Sequence, residues 1–117
     1  MIAAAMALAS GTGAASSAYD TCLNTGDAGN GIQSAMQECA DHEYRRQDGR
    51  LNETYKLKMA ALPAPRQAIL RGMQRQWILD RDRRCKVRGN GSMGRFNAVD
   101  CMATETAKRT AWLQRYR

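Results

Sequence analysis

Residues 61–85 read ALPAPRQAILRGMQRQWILDRDRRC, and this stretch decides how the chain folds. Pro63 and Pro65 end one helical pattern and start another, because proline lacks a backbone N–H and fits the first turn of a helix. The pattern that follows has apolar residues at helical spacing, which is typical of a helix that buries one side. The expected inner side of this second helix consists of Ile69, Leu70, Met73, Trp77, Ile78 and Cys85.

Helical spacing continues on both sides of this stretch. Upstream, apolar steps of three, four and seven predict one long helix of about 30 residues. Its apolar positions are Ile32, Met36, Cys39, Ala40, Tyr44, Leu51, Tyr55, Met59 and Leu62. Downstream, a Gly-rich turn at residues 89–92 precedes a third helix that begins at about Met93. The inner stripe of this third helix is Phe96, Val99, Ala103, Thr106, Thr110 and Leu113. Because the links are short, we predict an all-α, three-helix antiparallel bundle.

Length and composition support one small helical domain. The chain has 117 residues, and only five Val or Ile residues follow position 18. These figures exclude a multidomain enzyme and disfavour an extensive β-sheet. Residues 1–18 (MIAAAMALASGTGAASSA) contain a short apolar run before small residues, so we interpret them as a signal peptide or its remnant. The domain is then expected over residues 19–117, beginning with an irregular N-terminal arm.

Four cysteines, at positions 22, 39, 85 and 101, predict two disulfides in an exported domain of this size. Cys39 and Cys85 lie 24 residues before and 22 residues after Pro63, so they are expected at a similar height across the hairpin. We therefore favour the pairs Cys39–Cys85 and Cys22–Cys101 among the three connectivities that four cysteines allow. The wide cysteine spacing and the single histidine, His42, argue against a metal site.

Charge is divided unevenly along the chain, whose formal net charge is +7. Residues 1–44 carry five acidic residues and no Lys or Arg, whereas residues 45–117 carry a net charge of +12. The Arg-rich run at residues 81–88 could bind anionic polymers or lipids of a cell envelope. Acidic residues are interleaved with this run and aromatic residues are few, so we do not expect specific nucleic-acid binding.

No catalytic arrangement emerges from the sequence. One histidine and four paired cysteines leave no Ser/His/Asp or Cys/His set, and no pair of facing carboxylates is evident. The G-x-G-x-x-G match at residues 89–94 lacks the preceding strand that a dinucleotide site needs, so we interpret it as a helix–helix turn. We expect a non-enzymatic protein with no cofactor and no metal.

Three motifs, spread over most of the chain, are specific. They are D-x-x-L-N-x-x-Y from Asp48, Q-x-x-W-x-x-x-R-D-x-x-C from Gln74, and C-x4-T-x2-R-x3-L from Cys101. In this order they resemble the LprI-like lysozyme inhibitor family over about residues 32–113. The motif positions besides cysteine are Asp48, Leu51, Asn52, Tyr55, Gln74, Trp77, Arg81, Asp82, Thr106, Arg109 and Leu113. We expect these residues to hold the fold: Trp77 in the core, and the polar ones hydrogen-bonded across the three helices.

The resemblance implies a small exported bacterial helical protein and, for some members, inhibition of lysozyme. Lysozyme of the c-type is basic, so an inhibitor would meet it through an acidic face. We expect such a face to include Glu38, Asp41 and Glu43. The alternatives left open are an envelope protein that binds anionic polymers or lipids through its Arg-rich helices, and a structural or accessory domain without a soluble ligand. The sequence does not reveal the oligomeric state.

Overall fold

The computed structural model describes residues 13–86, 91 and 93–117, and this part of the chain is helical without any strand. The all-α prediction is confirmed. Two short N-terminal helices precede three long ones, and the prolines separate the first two long helices as predicted. Most of the predicted Gly-rich turn at residues 89–92 lies outside the described residues. The helices are α1 (Ser17–Leu23), α2 (Gly26–Gly29), α3 (Gln33–Ala60), α4 (Ala64–Arg84) and α5 (Met93–Arg115).

The three long helices run up, down and up. Pro63 is the N-cap of α4, and the Gln67 side chain donates to the Met59 carbonyl at 2.7 Å, so the α3–α4 link is closed by hydrogen bonds. Phe96, near the start of α5, packs beside the first turns of α3. At the other end, Lys58 Nζ of α3 donates to the Tyr116 carbonyl at 3.0 Å. Helix α5 is therefore parallel to α3, and α4 is antiparallel to both.

Side-chain size sets the spacing of the helices. The buried face of α5 is made largely of Ala and Thr, and the backbones of α3 and α5 approach closely along most of their length. Helix α4 approaches both less closely because it turns larger side chains inward. Those buried on α4 are Leu70, Gln74 and Arg81, with Trp77 half-buried.

Two apolar clusters form the core. One gathers Tyr19 and Ala28 of the short helices against Cys39 and Ala40 of α3. The other joins one leucine from each long helix: Leu51, Leu70 and Leu113. The predicted inner stripes of α3 and α5 are largely confirmed, although Ile32 is exposed. The prediction for α4 is wrong at Ile69, Met73 and Ile78, which are 54%, 38% and 39% exposed because the inner face of α4 is narrow and partly polar.

The N-terminal arm is more regular than predicted. Ser16 is the N-cap of α1, and its hydroxyl accepts a hydrogen bond from the Tyr19 backbone at 3.2 Å. Helix α2 folds tightly against the end of α1, since a Cβ on Gly29 would lie 2.7 Å from the carbonyl carbon of Asn24. The expected domain boundary before Tyr19 lies within α1. Most of the predicted leader, residues 1–12, lies outside the described residues.

Two disulfides are present, as predicted, but the favoured pairing is wrong. Cys22 bonds Cys39, and Cys85 bonds Cys101, with Cα–Cα distances of 5.8 and 5.5 Å. Our prediction compared heights along the hairpin and neglected the lateral distance between α3 and α4. Because α1 packs against α3, Cys22 lies beside Cys39. Each bridge therefore joins two cysteines that follow one another in the order of the four along the chain.

Among the described residues, no helix combines the length and the apolar character needed to cross a membrane.

Candidate functional site

A groove lies between α3 and α4 at the level of the first two motifs. Its cavity has a volume of about 210 Å³. Three positions at i, i+4 and i+7 on each helix face it, which is the spacing of one helix face. The residues that line it are Asp48, Leu51, Asn52 and Tyr55 from α3, and Arg71, Gln74, Arg75, Ile78 and Arg81 from α4. This α3–α4 groove is therefore formed largely by motif residues.

Buried polar residues fix the α4 wall of the groove. Arg81 is 7% exposed; its guanidinium donates to Thr106 Oγ1 of α5 at 3.3 Å and pairs with Asp82 at 3.0 Å. Gln74 accepts from Arg109 Nε at 2.8 Å through its side-chain oxygen. Hydrogen bonds to charged groups stabilise a fold by about 1.5–3 kcal/mol each, so these contacts hold α4 on α5.

Guanidinium groups and aromatic rings alternate along the inner side of α4 and α5. The Arg81 guanidinium lies 5.6 Å from the Tyr44 ring and 5.0 Å from the Trp77 ring. The Arg109 guanidinium lies 5.4 Å from the Trp77 ring and 3.8 Å from the Trp112 ring. A cation over an aromatic face is attracted by the ring quadrupole. These contacts form a continuous row, called here the ladder, that runs from α3 through α4 to α5. Its members in order are Tyr44, Arg81, Trp77, Arg109 and Trp112.

The ladder continues to the C-terminal end of α5. Trp112 stacks at a tilt on Tyr116, with ring centroids 5.1 Å apart, and Arg66 of α4 lies 5.5 Å from the Tyr116 ring. Arg66 also donates to the Arg117 carbonyl. Burial lowers the pKa of Arg109 below its ordinary value. Helix α4 is therefore held by stacked cations and rings over much of its length, which explains its wider spacing from its neighbours.

The acidic end of the molecule consists of α1, α2 and the start of α3. Glu38 is exposed and Asp41 is half-buried, but Glu43 is 0% exposed. Glu43 accepts hydrogen bonds from the Ser16 backbone (2.9 Å), the Ser16 hydroxyl (2.6 Å), Arg46 (3.0 Å) and Gln47 (2.7 Å). The expectation that Glu43 contributes to an exposed acidic face is therefore wrong, because its carboxylate is buried and hydrogen-bonded to Ser16.

Two ionisable groups at this end have shifted pKa values. Burial alone would raise the pKa of Glu43, but its hydrogen bonds outweigh burial and hold that pKa below its ordinary value. Burial, and then the hydrogen bond to Asp100 at 2.6 Å, raise the pKa of the Tyr19 phenol. Both groups join the N-terminal arm to the long helices.

The family described as lysozyme inhibitor LprI matches residues 22–113 of this chain. The chain belongs to the LprI lysozyme inhibitor family. An uncharacterized protein of Rhizobium meliloti (strain 1021), R02472, is 35% identical over 99 residues, which cover 70% of this chain and 71% of the relative. No solved structure matches the chain significantly.

The LprI motif residues divide into two groups in the structure. Leu51 and Leu113 are core residues. Hydrogen bonds between helices join Arg81 to Thr106 and Arg109 to Gln74, whereas Asp82 pairs with Arg81 of its own helix. Trp77 is half-buried: it packs against the leucine cluster, and two guanidinium groups lie over its ring.

The second group of LprI motif residues differs from the prediction. Asn52 does not bond across the hairpin: its amide contacts Asp48 of its own helix at 3.5 Å and is exposed. Tyr55 packs half-buried against the leucine cluster. These residues line the groove and contribute little hydrogen bonding to the fold.

Sequence reasoning missed several residues that matter in this LprI domain. Arg71 and Arg75 line the groove on α4, and Asp48 and Asn52 line it on α3. Each pair is spaced i, i+4, which places its two residues on one helix face, and this spacing is the sequence signal that could have identified the two arginines. The docking of Ser16 on Glu43 joins residues 27 positions apart, and no local pattern indicates it.

Proposed function

We propose that this LprI-family protein is a non-enzymatic, exported inhibitor of lysozyme that acts by occluding the substrate cleft. The family match over residues 22–113 is the observation that carries this proposal. Two disulfides are typical of proteins outside the reducing cytoplasm, and they support export to the periplasm or beyond. We place the proposed export signal ahead of Ser16, because Ser16 caps α1 and bonds Glu43 in the folded domain.

Charge supports the acidic end as the surface that meets lysozyme. Its exposed or half-buried acidic residues are Asp20, Asp27, Glu38 and Asp41. Residues 13–44 contain no Lys or Arg. Complementary charge accelerates association with a basic partner and orients it, even when the net charges of the two proteins repel.

An envelope-binding role for the Arg-rich helices has less support. Arg81 is buried, Arg83 pairs with Asp80, and Arg84 pairs with Glu105 at 3.0 Å. These pairs neutralise much of the basic run at residues 81–86. We therefore place lysozyme ahead of anionic polymers or lipids as the partner.

Calorimetric titration of oxidised protein into c-type lysozyme tests this proposal. We expect saturable binding, and we expect a chitin oligosaccharide that fills the lysozyme cleft to compete with it. Binding that persists unchanged with the cleft filled would contradict occlusion. Heparin is the control polyanion: retention on heparin without any lysozyme binding would favour the envelope role.

A further inference from the structure

Two arginines at the α3–α4 groove have no ionic partner. Arg71 and Arg75 are exposed, lie one helical turn apart on α4, and form no ion pair within the described residues. The other arginines of α4 are all engaged, by rings, carbonyls, hydroxyls or carboxylates: Arg66, Arg81, Arg83 and Arg84. The groove therefore keeps two free guanidinium groups side by side, an arrangement suited to a carboxylate.

The opposite wall of the groove offers different chemistry. Asp48 forms no ion pair within the described residues, and its contact with Asn52 is a long one of 3.5 Å. A carboxylate accepts hydrogen bonds and repels anions, so this wall favours a ligand that also carries an N–H donor. Between the walls, Leu51 and the 39%-exposed Ile78 provide apolar surface.

The size of the groove limits what it can hold. Pockets for small organic ligands usually have volumes of about 300–1,000 Å³. At about 210 Å³, this cavity fits one end group of a larger molecule better than a complete ligand of that size.

We propose that the α3–α4 groove binds the C-terminal residue of a peptide. The terminal carboxylate lies between Arg71 and Arg75, the last amide N–H donates to Asp48, and the side chain rests on Leu51 and Ile78. A C-terminal residue suits this groove because it carries an anion and a donor within one residue, whereas a sulfate ion carries no donor for a carboxylate. This inference is independent of the lysozyme proposal, which concerns the opposite charge and another part of the molecule.

Titration of the oxidised full chain with acetyl-Ala-Ala, followed by NMR, tests the proposal. We expect binding with a Kd on the order of 1 mM, with shifts at the Asn52 side-chain amide and the Ile78 methyl groups. The C-terminal amide of the same dipeptide should bind about tenfold more weakly or not at all, because it lacks the charge that the arginines recognise. Equal binding of the acid and the amide would overturn the proposal.

Substitutions separate this site from general attraction of anions. R71Q/R75Q should weaken acetyl-Ala-Ala binding about tenfold or more. R95Q/R115Q removes the same charge from exposed positions outside the groove and should leave binding within about twofold. Equal weakening by both pairs, with folding intact, would overturn the proposal.

Substitution of Asp48 distinguishes a peptide site from a simple anion site. D48A removes an acceptor for the amide N–H, so the proposal predicts weaker peptide binding. A simple anion site predicts the reverse, since loss of a negative charge strengthens binding of any anion, including sulfate. Stronger peptide binding by D48A would therefore contradict the proposal.

Discussion

Glu43 shows how a single residue joins the N-terminal arm to the bundle. Its carboxylate is fully buried and accepts four hydrogen bonds, two of them from Ser16. A buried carboxylate is tolerated only when it is fully hydrogen-bonded, and here the bonds hold its pKa below the ordinary value. Ser16 and Glu43 therefore act as one unit, which aligns α1 with α3.

Substitution of Glu43 should destabilise the protein in a pH-dependent manner. We expect Glu43→Gln to lower the free energy of unfolding by about 1.5–3 kcal/mol at pH 7, because charged hydrogen bonds are lost. A lowered folded-state pKa adds stability above the unfolded value of about 4.3, and this stability is lost as the pH falls through the folded-state pKa. Urea unfolding measures this at pH 7 and pH 3: the difference in the free energy of unfolding between variant and wild type should be smaller at pH 3 than at pH 7.

The control for this experiment is Glu38→Gln, an exposed carboxylate on the same helix. Its effect should stay within about 0.5 kcal/mol at both pH values. A Glu43→Gln gap of equal size at pH 7 and pH 3 would show that ionisation of Glu43 does not contribute to stability.

At the scale of elements, the three long helices make two kinds of contact. Helices α3 and α5 pack closely through small side chains, whereas α4 is held by the ladder of guanidinium groups and rings. The helices themselves were predictable, because apolar periodicity and proline are local signals. The disulfide pairing was not predictable, because it depends on lateral distances between helices that periodicity does not contain.

The close α3–α5 contact predicts sensitivity to side-chain size. Ala103 is 2% exposed on the inner stripe of α5, so Ala103→Leu should destabilise the protein by about 1–3 kcal/mol through overpacking. Ala68→Leu, at an exposed position of α4, is the matched substitution and should change stability by less than about 0.5 kcal/mol. Thermal unfolding of both variants measures the difference. Equal melting temperatures would contradict close packing at Ala103.

The disulfide pairing predicts a specific peptide map. No Lys or Arg lies between Cys22 and Cys39, so trypsin leaves both in one peptide that ends at Arg45. With the pairs Cys22–Cys39 and Cys85–Cys101, this peptide appears on its own without reduction, two hydrogens lighter than its reduced form. A mass that links it to the Cys85 or Cys101 peptide would contradict the structure.

At the scale of the whole molecule, charge is divided between the N-terminal helices and the rest of the chain. The acidic residues of α1, α2 and the start of α3 precede every Lys and Arg in the sequence, and the free arginines of the groove lie on α4. The sequence showed this division as net charges of −5 and +12, and the motif spacing indicated the family. Which acidic residues are exposed could not be read from composition, because the burial of Glu43 depends on Ser16, which is remote in sequence.

Inhibition of c-type lysozyme during lysis of bacterial cell walls is a direct test of whether this protein is a lysozyme inhibitor. We expect the lysis rate to fall in proportion to added oxidised protein and to reach a minimum near one molar equivalent. Glu38→Lys should weaken inhibition, and Glu53→Lys, exposed farther along the same helix, should not. A lysis rate that is unchanged by a large molar excess of the protein, with c-type and g-type lysozyme alike, would contradict the proposed function.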